Sequence, residues 1–275
     1  MTLKRSQNEF ITNDKVQIKY RSWIPAQIRA IVLVIHGIGS YNAYYEDMAI
    51  FLAQNNIGVY GIDLRGFGNS TFNLERLLTF SQFADDINCL RNIIKVNYRD
   101  KPIYIIGESM GGIVGLNYAI LYEDKLDGLI LVSPAIIPCV SFPFLWKIIV
   151  GIIKKSTKNF VSPYPINKMT VDKGFIEKIG GDPLCKIEIP LHFGRLMWEA
   201  QKRIKKYCGK IMIPVFILQS KKDRIVHPKG ANLIYKKIQS VDKQIHFFLK
   251  SYHTLLNDIE KQRVFEYILQ WINRL

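Results

Sequence analysis

The first half of the chain alternates between short apolar runs and segments with helical spacing. The apolar runs have the length of strands and are rich in β-branched residues, and they cover residues 31–35, 59–63, 102–107 and 129–132. Helical spacing is found between them, over residues 48–54, 83–96 and 111–122. An unbroken apolar run is typical of a strand that is buried on both faces. The alternation therefore predicts an α/β fold with a doubly wound, mostly parallel sheet.

The two ends of the chain extend this sheet. Residues 16–23 alternate between polar and apolar types after the turn residues Asn13 and Asp14, which indicates a hairpin. After residue 210 the order of strand and helix resumes, over residues 215–218, 229–238, 244–249 and 258–275.

Residues 135–210 interrupt the alternation. This segment has several short helical patterns and prolines at positions 138, 143, 163, 165, 183 and 190. We therefore predict a core formed by residues 1–134 and 211–275, and a mainly helical cap formed by residues 135–210. The cap is expected over the carboxyl edge of the sheet, where open α/β sheets bind their ligands.

A serine flanked by glycines lies between a predicted buried strand and a predicted helix. The sequence Gly107-Glu108-Ser109-Met110-Gly111 fits the pattern G-x-S-x-G. In this context the pattern marks a tight turn that raises the serine hydroxyl above the sheet. The N–H of Met110, at the start of the helix, can then face an oxyanion. We interpret Ser109 as a nucleophile; the alternative is a glycine-rich turn that happens to hold a serine.

A serine nucleophile needs a base, and the chain has five histidines: His36, His192, His227, His246 and His253. In the nucleophile-elbow arrangement the chain order is serine, acid, histidine. The base is therefore expected late in the chain, in a loop between a strand and a helix. His253 meets this condition, because it lies between the last predicted strand and the last predicted helix.

The acid is expected between Ser109 and His253, at the end of a strand. Asp223 meets this condition, because it follows the strand that ends near Gln219. A carboxylate that only caps its own loop is the alternative. Other carboxylates come too early, lie at the wrong edge of the sheet or follow no strand; these are Asp63, Glu108, Asp127, Asp172 and Asp242.

A second donor for an oxyanion is expected in the loop after the first buried strand. This loop reads His36-Gly37-Ile38-Gly39. We predict the backbone N–H of Ile38 as the donor, because the flanking glycines let the chain turn inward. His36 is interpreted as a residue that shapes the loop. Gly37 is expected to shape it as well, as Gly107 and Gly111 shape the turn around the serine.

Taken together, these motifs resemble the α/β-hydrolases, and most closely the monoglyceride lipase and lysophospholipase branch. The resemblance covers nearly the whole chain and rests on residues 36–39, 63–70, 107–112, 181–184, 220–223, 229–231 and 252–253. It implies hydrolysis of a small-molecule or lipid ester through an acyl-enzyme, with no metal and no organic cofactor, and an apolar acyl tunnel under the cap. Glu108 departs from the branch, which commonly has histidine at that position. Ser40-Tyr41-Asn42 also departs, since the branch often has Glu-His-Ser there.

Other functions of the same fold stay open at this point. They are acyl transfer to an acceptor other than water, binding of a ligand without catalysis, and hydrolysis of peptides. The complete set of Ser109, Asp223 and His253 argues against a non-catalytic protein. The sequence indicates no carboxylate near the pocket that would recognise the amine of a peptide.

The net charge of +15 and an apolar stretch in the predicted cap raise the question of membrane contact. Residues 142–155 are too interrupted by proline, lysine and glycine to span a bilayer, which takes about 20 apolar residues. We expect them to pack on the core, or in addition to contact an anionic membrane. Dimerisation through the cap is the third alternative. Residues 202–207 form a basic run that we interpret as a solvated helix face. Because no nucleic-acid-binding module surrounds it, no nucleic acid is expected as a partner.

The cysteines and the first residues of the chain give indications of the cellular location of the protein. The cysteines lie at positions 89, 139, 185 and 208, and their spacing fits neither a zinc site nor a disulfide framework. The first residues are polar and show no apolar signal region. Both features favour a cytoplasmic protein with free thiols.

Overall fold

The computed structural model describes residues 3–139, 159–161, 166–185 and 188–275, with the backbone alone for residues 159–161 and 188. In this part of the chain the strands are β1 (Leu3–Ile11), β2 (Gln17–Pro25), β3 (Ala30–Ile35), β4 (Ile57–Ile62), β5 (Ile103–Glu108), β6 (Gly128–Val132), β7 (Asn159–Val161), β8 (Glu188–Pro190), β9 (Val215–Ser220) and β10 (Lys243–Phe248). The helices are α1 (Glu46–Gln54), α2 (Ser81–Asn97), α3 (Met110–Leu121), α4 (Lys173–Gly180), α5 (Leu191–Tyr207), α6 (Lys229–Lys237) and α7 (Lys261–Arg274).

One large sheet contains eight of these strands, in the order β1-β2-β4-β3-β5-β6-β9-β10. The strands β1 and β2 pair antiparallel, as the predicted hairpin requires, and β2 also pairs antiparallel with β4. All other neighbours pair parallel. The strands β7 and β8 form a separate antiparallel pair. The predicted α/β fold with a mostly parallel, doubly wound sheet is confirmed.

Successive side chains of the central strands pack against helices on opposite faces of the sheet. In β3, Ile31, Leu33 and Ile35 join the apolar cluster that contains residues of α2, α3, α5 and α6. Val32 and Val34 join the cluster that contains residues of α1 and α7. Because neighbouring side chains of a strand point in opposite directions, both faces are buried only when the apolar run is unbroken.

The last helix begins later than predicted. It starts at Lys261 rather than at residue 258. The Asp258 carboxylate instead accepts hydrogen bonds from the backbone N–H groups of Val171, at 3.1 Å, and Tyr252, at 2.6 Å. The residue therefore ties down the loop before the helix, a role that helical periodicity does not reveal.

The segment predicted as a cap includes α4 and α5, and α5 also packs on the core. Its side chains Phe193, Leu196 and Ile204 belong to the same apolar cluster as residues of α3. The amide of Gln201 donates to the carbonyl oxygen of Ala135 at 2.6 Å. The division of the chain into a core and a cap at residues 135 and 210 stays a prediction.

A buried arginine fixes the loop that follows β4. The Arg65 guanidinium donates to Asp86 through Nε at 2.7 Å and Nη2 at 2.6 Å, and to Asp14 through Nη1 at 2.7 Å. The side chain of Asp86 is buried, whereas that of Asp14 is 45% exposed. The loop is thereby held against α2 by a buried ion pair and by a second carboxylate at the surface.

Arg65→Met is expected to lower the free energy of unfolding by about 3–5 kcal/mol, because it leaves a buried carboxylate without its cation. Asp14→Asn is the matched control. It removes only the exposed partner and is expected to change that free energy by about 1 kcal/mol or less. Urea unfolding followed by circular dichroism measures both variants. An effect of Arg65→Met as small as that of the control would contradict this role of the buried pair.

Candidate active site

Ser109 occupies a strained turn between β5 and α3. Its φ is 55° and its ψ is −114°, a combination that residues other than glycine rarely adopt. A Cβ added to Gly107 would lie 2.4 Å from the carbonyl oxygen of Gly111, and one added to Gly111 would lie 2.1 Å from that of Ile35. Glycine is therefore required on both sides of the serine for steric reasons.

The side chains of Ser109, His253 and Asp223 form one hydrogen-bonded chain. His253 Nε2 lies 2.8 Å from Ser109 Oγ, and His253 Nδ1 lies 2.8 Å from Asp223 Oδ2. Because an ionised carboxylate only accepts hydrogen bonds, Nδ1 carries the proton, and Nε2 is free to accept the proton of the serine. All three residues are buried. The geometry is that of a nucleophile, a base and an orienting acid.

The Asp223 carboxylate is held by further donors at the end of β9. Its Oδ1 accepts from the backbone N–H groups of Ile225 and Val226, at 2.8 and 2.9 Å. Its Oδ2, the oxygen that faces His253, also accepts from the Gln219 side chain at 3.0 Å. These contacts fix the orientation of the carboxylate, with Oδ2 toward the imidazole.

The loop that carries His253 is held by both the core and the segment before α4. The backbone N–H groups of His253 and Thr254 both donate to the carbonyl oxygen of Met169, at 2.9 Å each. On the core side, the Glu260 carboxylate accepts from the N–H groups of Lys250 and Ser251, each at 2.9 Å. The imidazole is therefore positioned by backbone hydrogen bonds as well as by Asp223.

The loop after β3 lies against Ser109. A Cβ added to Gly37 would lie 3.2 Å from Ser109 Cβ. His36 is fully buried below this loop; its Nδ1 donates to the carbonyl oxygen of Gly37 at 2.7 Å, and its Nε2 accepts from the N–H of Leu64 at 2.9 Å. Burial lowers the pKa of His36, so the ring is neutral and joins two loops. That Ile38 and Met110 donate to an oxyanion stays a prediction.

A pocket with largely apolar walls lies above Ser109 and His253. Its apolar lining comes from both the core and the predicted cap, and includes Ile38, Ile166, Met169, Phe175, Ile179 and Ile225. The helix α4 is attached to the loop after β3 by the Asp182 carboxylate, which accepts from the Tyr41 and Tyr44 hydroxyls at 2.7 and 2.8 Å. A hydrophobic ligand group can thus approach the serine between these elements.

A family model described as "Serine aminopeptidase, S33" (Hydrolase_4) matches residues 26–260. The chain belongs to this family. It is 25% identical to the monoglyceride lipase of Homo sapiens over 260 residues, which cover 92% of this chain and 86% of that protein. It is 22% identical to the monoacylglycerol lipase of Mycolicibacterium smegmatis, over 98% of this chain and 97% of that protein.

Solved structures show the same fold as this S33 hydrolase. A soluble variant of the monoglyceride lipase from Saccharomyces cerevisiae, in complex with a substrate analog, matches with a TM-score of 0.86 and 21% identity, over 100% of this chain and 96% of that one. The resemblance to the monoglyceride lipase branch of the α/β-hydrolases is confirmed. The family and these relatives support an ester hydrolase of the lipase or esterase kind.

The remaining histidines of the S33 hydrolase have other surroundings. His246 lies in β10 and stacks on Tyr267 with ring centroids 4.1 Å apart. His227 is exposed and accepts from the N–H of Lys229 at 3.1 Å, and His192 is buried in α5. Of the five histidines, His253 is the one whose ring bonds to Ser109.

Two further segments stand out in the sequence, residues 142–155 and 202–207. The apolar stretch 142–155 lies outside the described residues. The basic run 202–207 lies on α5, where Lys202 and Lys206 are exposed while Ile204 packs on the core, as a solvated helix face requires. None of the described helices has both the length and the hydrophobicity to cross a bilayer.

Glu108 is the residue of the site that sequence reasoning missed. Its place before the serine in the chain excludes it as the acid, and the sequence indicates no carboxylate near the pocket that would recognise an amine. The structure brings it into the pocket lining, buried beside Ser109 and His253. Its departure from the related branch was the available signal, but its contacts come from distant parts of the chain.

Proposed function

We propose that this S33 hydrolase cleaves carboxylic esters with an apolar acyl chain through an acyl-enzyme on Ser109. The substrates would be of the monoacylglycerol, lysophospholipid or simple carboxylic ester type. The observation that carries the proposal is the hydrogen-bonded chain from Ser109 through His253 to Asp223 at the base of an apolar pocket. The similarity to monoglyceride and monoacylglycerol lipases supports the choice of substrate class.

In the proposed reaction Ser109 Oγ attacks the ester carbonyl carbon while its proton passes to His253 Nε2. The tetrahedral oxyanion collapses, the bond to the alcohol oxygen breaks, and His253 gives its proton to the leaving alcohol. Water then attacks the acyl-serine with the same histidine as base, and the acid product and free Ser109 result. Asp223 stabilises the imidazolium in both halves.

The oxyanion would be stabilised by the backbone N–H groups of Ile38 and Met110. Two arguments support this assignment: the loop with Ile38 packs against Ser109, and Met110 is the first residue of α3. The N–H groups of the first turn of a helix have no acceptor within the helix and attract negative charge. One such donor is typically worth about 2.7–4 kcal/mol in the transition state.

Labelling and hydrolysis test the proposal together. A fluorophosphonate probe is expected to modify Ser109, as located by tandem mass spectrometry. With p-nitrophenyl esters of rising chain length, kcat/KM is expected to rise from acetyl to longer acyl groups, because each buried methylene contributes about 0.8 kcal/mol. A monoacylglycerol and a lysophospholipid assayed alongside identify the leaving group. The proposal would be contradicted if the probe did not label Ser109 and the protein hydrolysed none of these esters.

Two alternative reactions, acyl transfer and peptide hydrolysis, would use the same fold. An acyltransferase would use the same three side chains, and it would form new esters when alcohols are added. Peptide hydrolysis is less well supported, because the carboxylate in the pocket lining, Glu108, already accepts hydrogen bonds from Tyr45 and Leu256. An amine would have to compete with both donors for that carboxylate.

A further inference from the structure

Glu108 is a buried carboxylate next to the nucleophile that the proposed reaction does not use. Its Oε2 accepts from the Tyr45 hydroxyl at 2.9 Å, and its Oε1 faces the backbone N–H of Leu256 at 3.4 Å. Only 4% of its surface is exposed. Burial of a carboxylate is unfavourable unless donors or cations compensate for the lost water, so the residue needs an explanation.

The contacts of Glu108 connect three parts of the site. Glu108 itself precedes Ser109 in the strained turn. Tyr45 follows the loop that contains the predicted oxyanion donor Ile38. The Gly37 backbone and the Ser40 side chain of this loop are close enough to the Tyr45 hydroxyl to lower its pKa. Leu256 lies three residues after His253. One carboxylate therefore links the nucleophile turn, the oxyanion loop and the histidine loop.

The charge of Glu108 also acts on the base. Burial raises the pKa of Glu108, whereas protonated His253 and the hydrogen bond from Tyr45 lower it; Asp223 also faces the carboxylate and raises its pKa. Burial alone would lower the pKa of His253, but Asp223 and, after it, Glu108 more than offset this, so that the pKa of the imidazole is raised above its usual value. Burial, followed by Glu108, raises the pKa of Tyr45 well above its usual range, so its hydroxyl stays a donor.

We propose that Glu108 is a positioning residue for the hydrolytic reaction: its contacts with Tyr45 and Leu256 fix the oxyanion loop and the histidine loop to the nucleophile turn, and in its ionised form it stabilises the protonated His253. Asp223 is hydrogen-bonded to Nδ1 of the ring, whereas Glu108, in the serine turn, interacts with the imidazolium through its charge. The inference rests on the proposed function, since it assigns a role within the same catalytic cycle.

Glu108→Gln tests this role, because it keeps the size of the side chain and one acceptor oxygen but removes the charge. Because the pKa of His253 is raised, the acidic limb of kcat/KM in the wild type is expected at a higher pH than an ordinary histidine would give. In the variant one of the two carboxylates that favour the imidazolium is gone, so the limb is expected to move to lower pH. The kcat on the plateau is expected to fall by about 10- to 100-fold, as for a misplaced catalytic group.

Glu260→Gln is the matched control. Glu260 is also a buried glutamate that accepts two backbone N–H groups of the histidine loop, but it pairs with Arg263 rather than acting on His253. We expect it to lower Tm while the acidic limb stays at the wild-type pH. The same shift in both variants would overturn the proposal, because it would reflect general loosening of the loop.

Tyr45→Phe provides a second variant if Glu108→Gln does not fold. It keeps the ring and removes only the hydroxyl that links Glu108 to the oxyanion loop. A lower kcat with a folded protein is expected, and wild-type kcat and pH dependence in this variant and in folded Glu108→Gln would overturn the proposal. Failure of the proposed function is distinguishable, because the wild-type protein itself would then neither hydrolyse esters nor react with the fluorophosphonate.

Discussion

Replacement of Ser109 by alanine is expected to lower kcat for ester hydrolysis by about a million-fold, as the loss of a serine nucleophile does in other triads. The hydroxyl is the atom that would bond to the acyl group, and His253 Nε2 is hydrogen-bonded to it at 2.8 Å. Alanine keeps the Cβ, so the backbone of the turn is subject to the same steric limits in the variant. The measurement is kcat on the best ester, with Tm as the test of folding.

Ser133→Ala is the control for the loss of a buried hydroxyl. Ser133 follows β6, the neighbour of β5, and it also has a positive φ, of 44°. Its hydroxyl makes no hydrogen bond to the described residues. We expect turnover close to that of the wild type in this variant. Hydrolysis by Ser109→Ala at the level of this control would exclude Ser109 as the nucleophile.

The parts of the fold that could be predicted are those that depend on local patterns. A strand buried on both faces must be apolar throughout, and the run at residues 31–35 is therefore visible in the sequence. The same holds for Gly107 and Gly111, because sterics at the turn leave no other residue. Chain order then selected His253 and Asp223, which the structure brings within hydrogen-bonding distance.

The parts that could not be predicted depend on partners far apart in the chain or on backbone atoms. Tyr45 and Glu108 are 63 positions apart, and neither has a pattern that indicates the other. The loop of His253 donates to the backbone carbonyl oxygen of Met169. Because every residue type has this carbonyl group, the sequence does not indicate that Met169 is the acceptor. Local periodicity likewise extended the last helix to Asp258, whose carboxylate serves a distant loop.

Asp223→Asn is expected to lower kcat by about 10⁴-fold through the tautomer of His253 rather than through the loss of charge alone. The N–H groups of Ile225 and Val226 both point at the position of Oδ1. Because an amide nitrogen there would face two donors, the asparagine is expected to place its oxygen at that position. Its NH₂ group then takes the position of Oδ2, 2.8 Å from His253 Nδ1.

In that orientation asparagine donates to Nδ1, so the proton of the ring moves to Nε2, the atom that must accept the proton of Ser109. Gln219 can adapt to the change, because its Oε1 has no partner among the described residues and an amide flip would turn it toward the new NH₂ group. The flip gives up the hydrogen bond that the Gln219 amide donates to the Ser220 carbonyl oxygen at 3.2 Å. The fold is therefore expected to persist while the base is lost. Rates of fluorophosphonate labelling and Tm, measured for Asp223→Asn against wild type, distinguish this from unfolding. A wild-type labelling rate in a folded variant would mean that another acid orients His253.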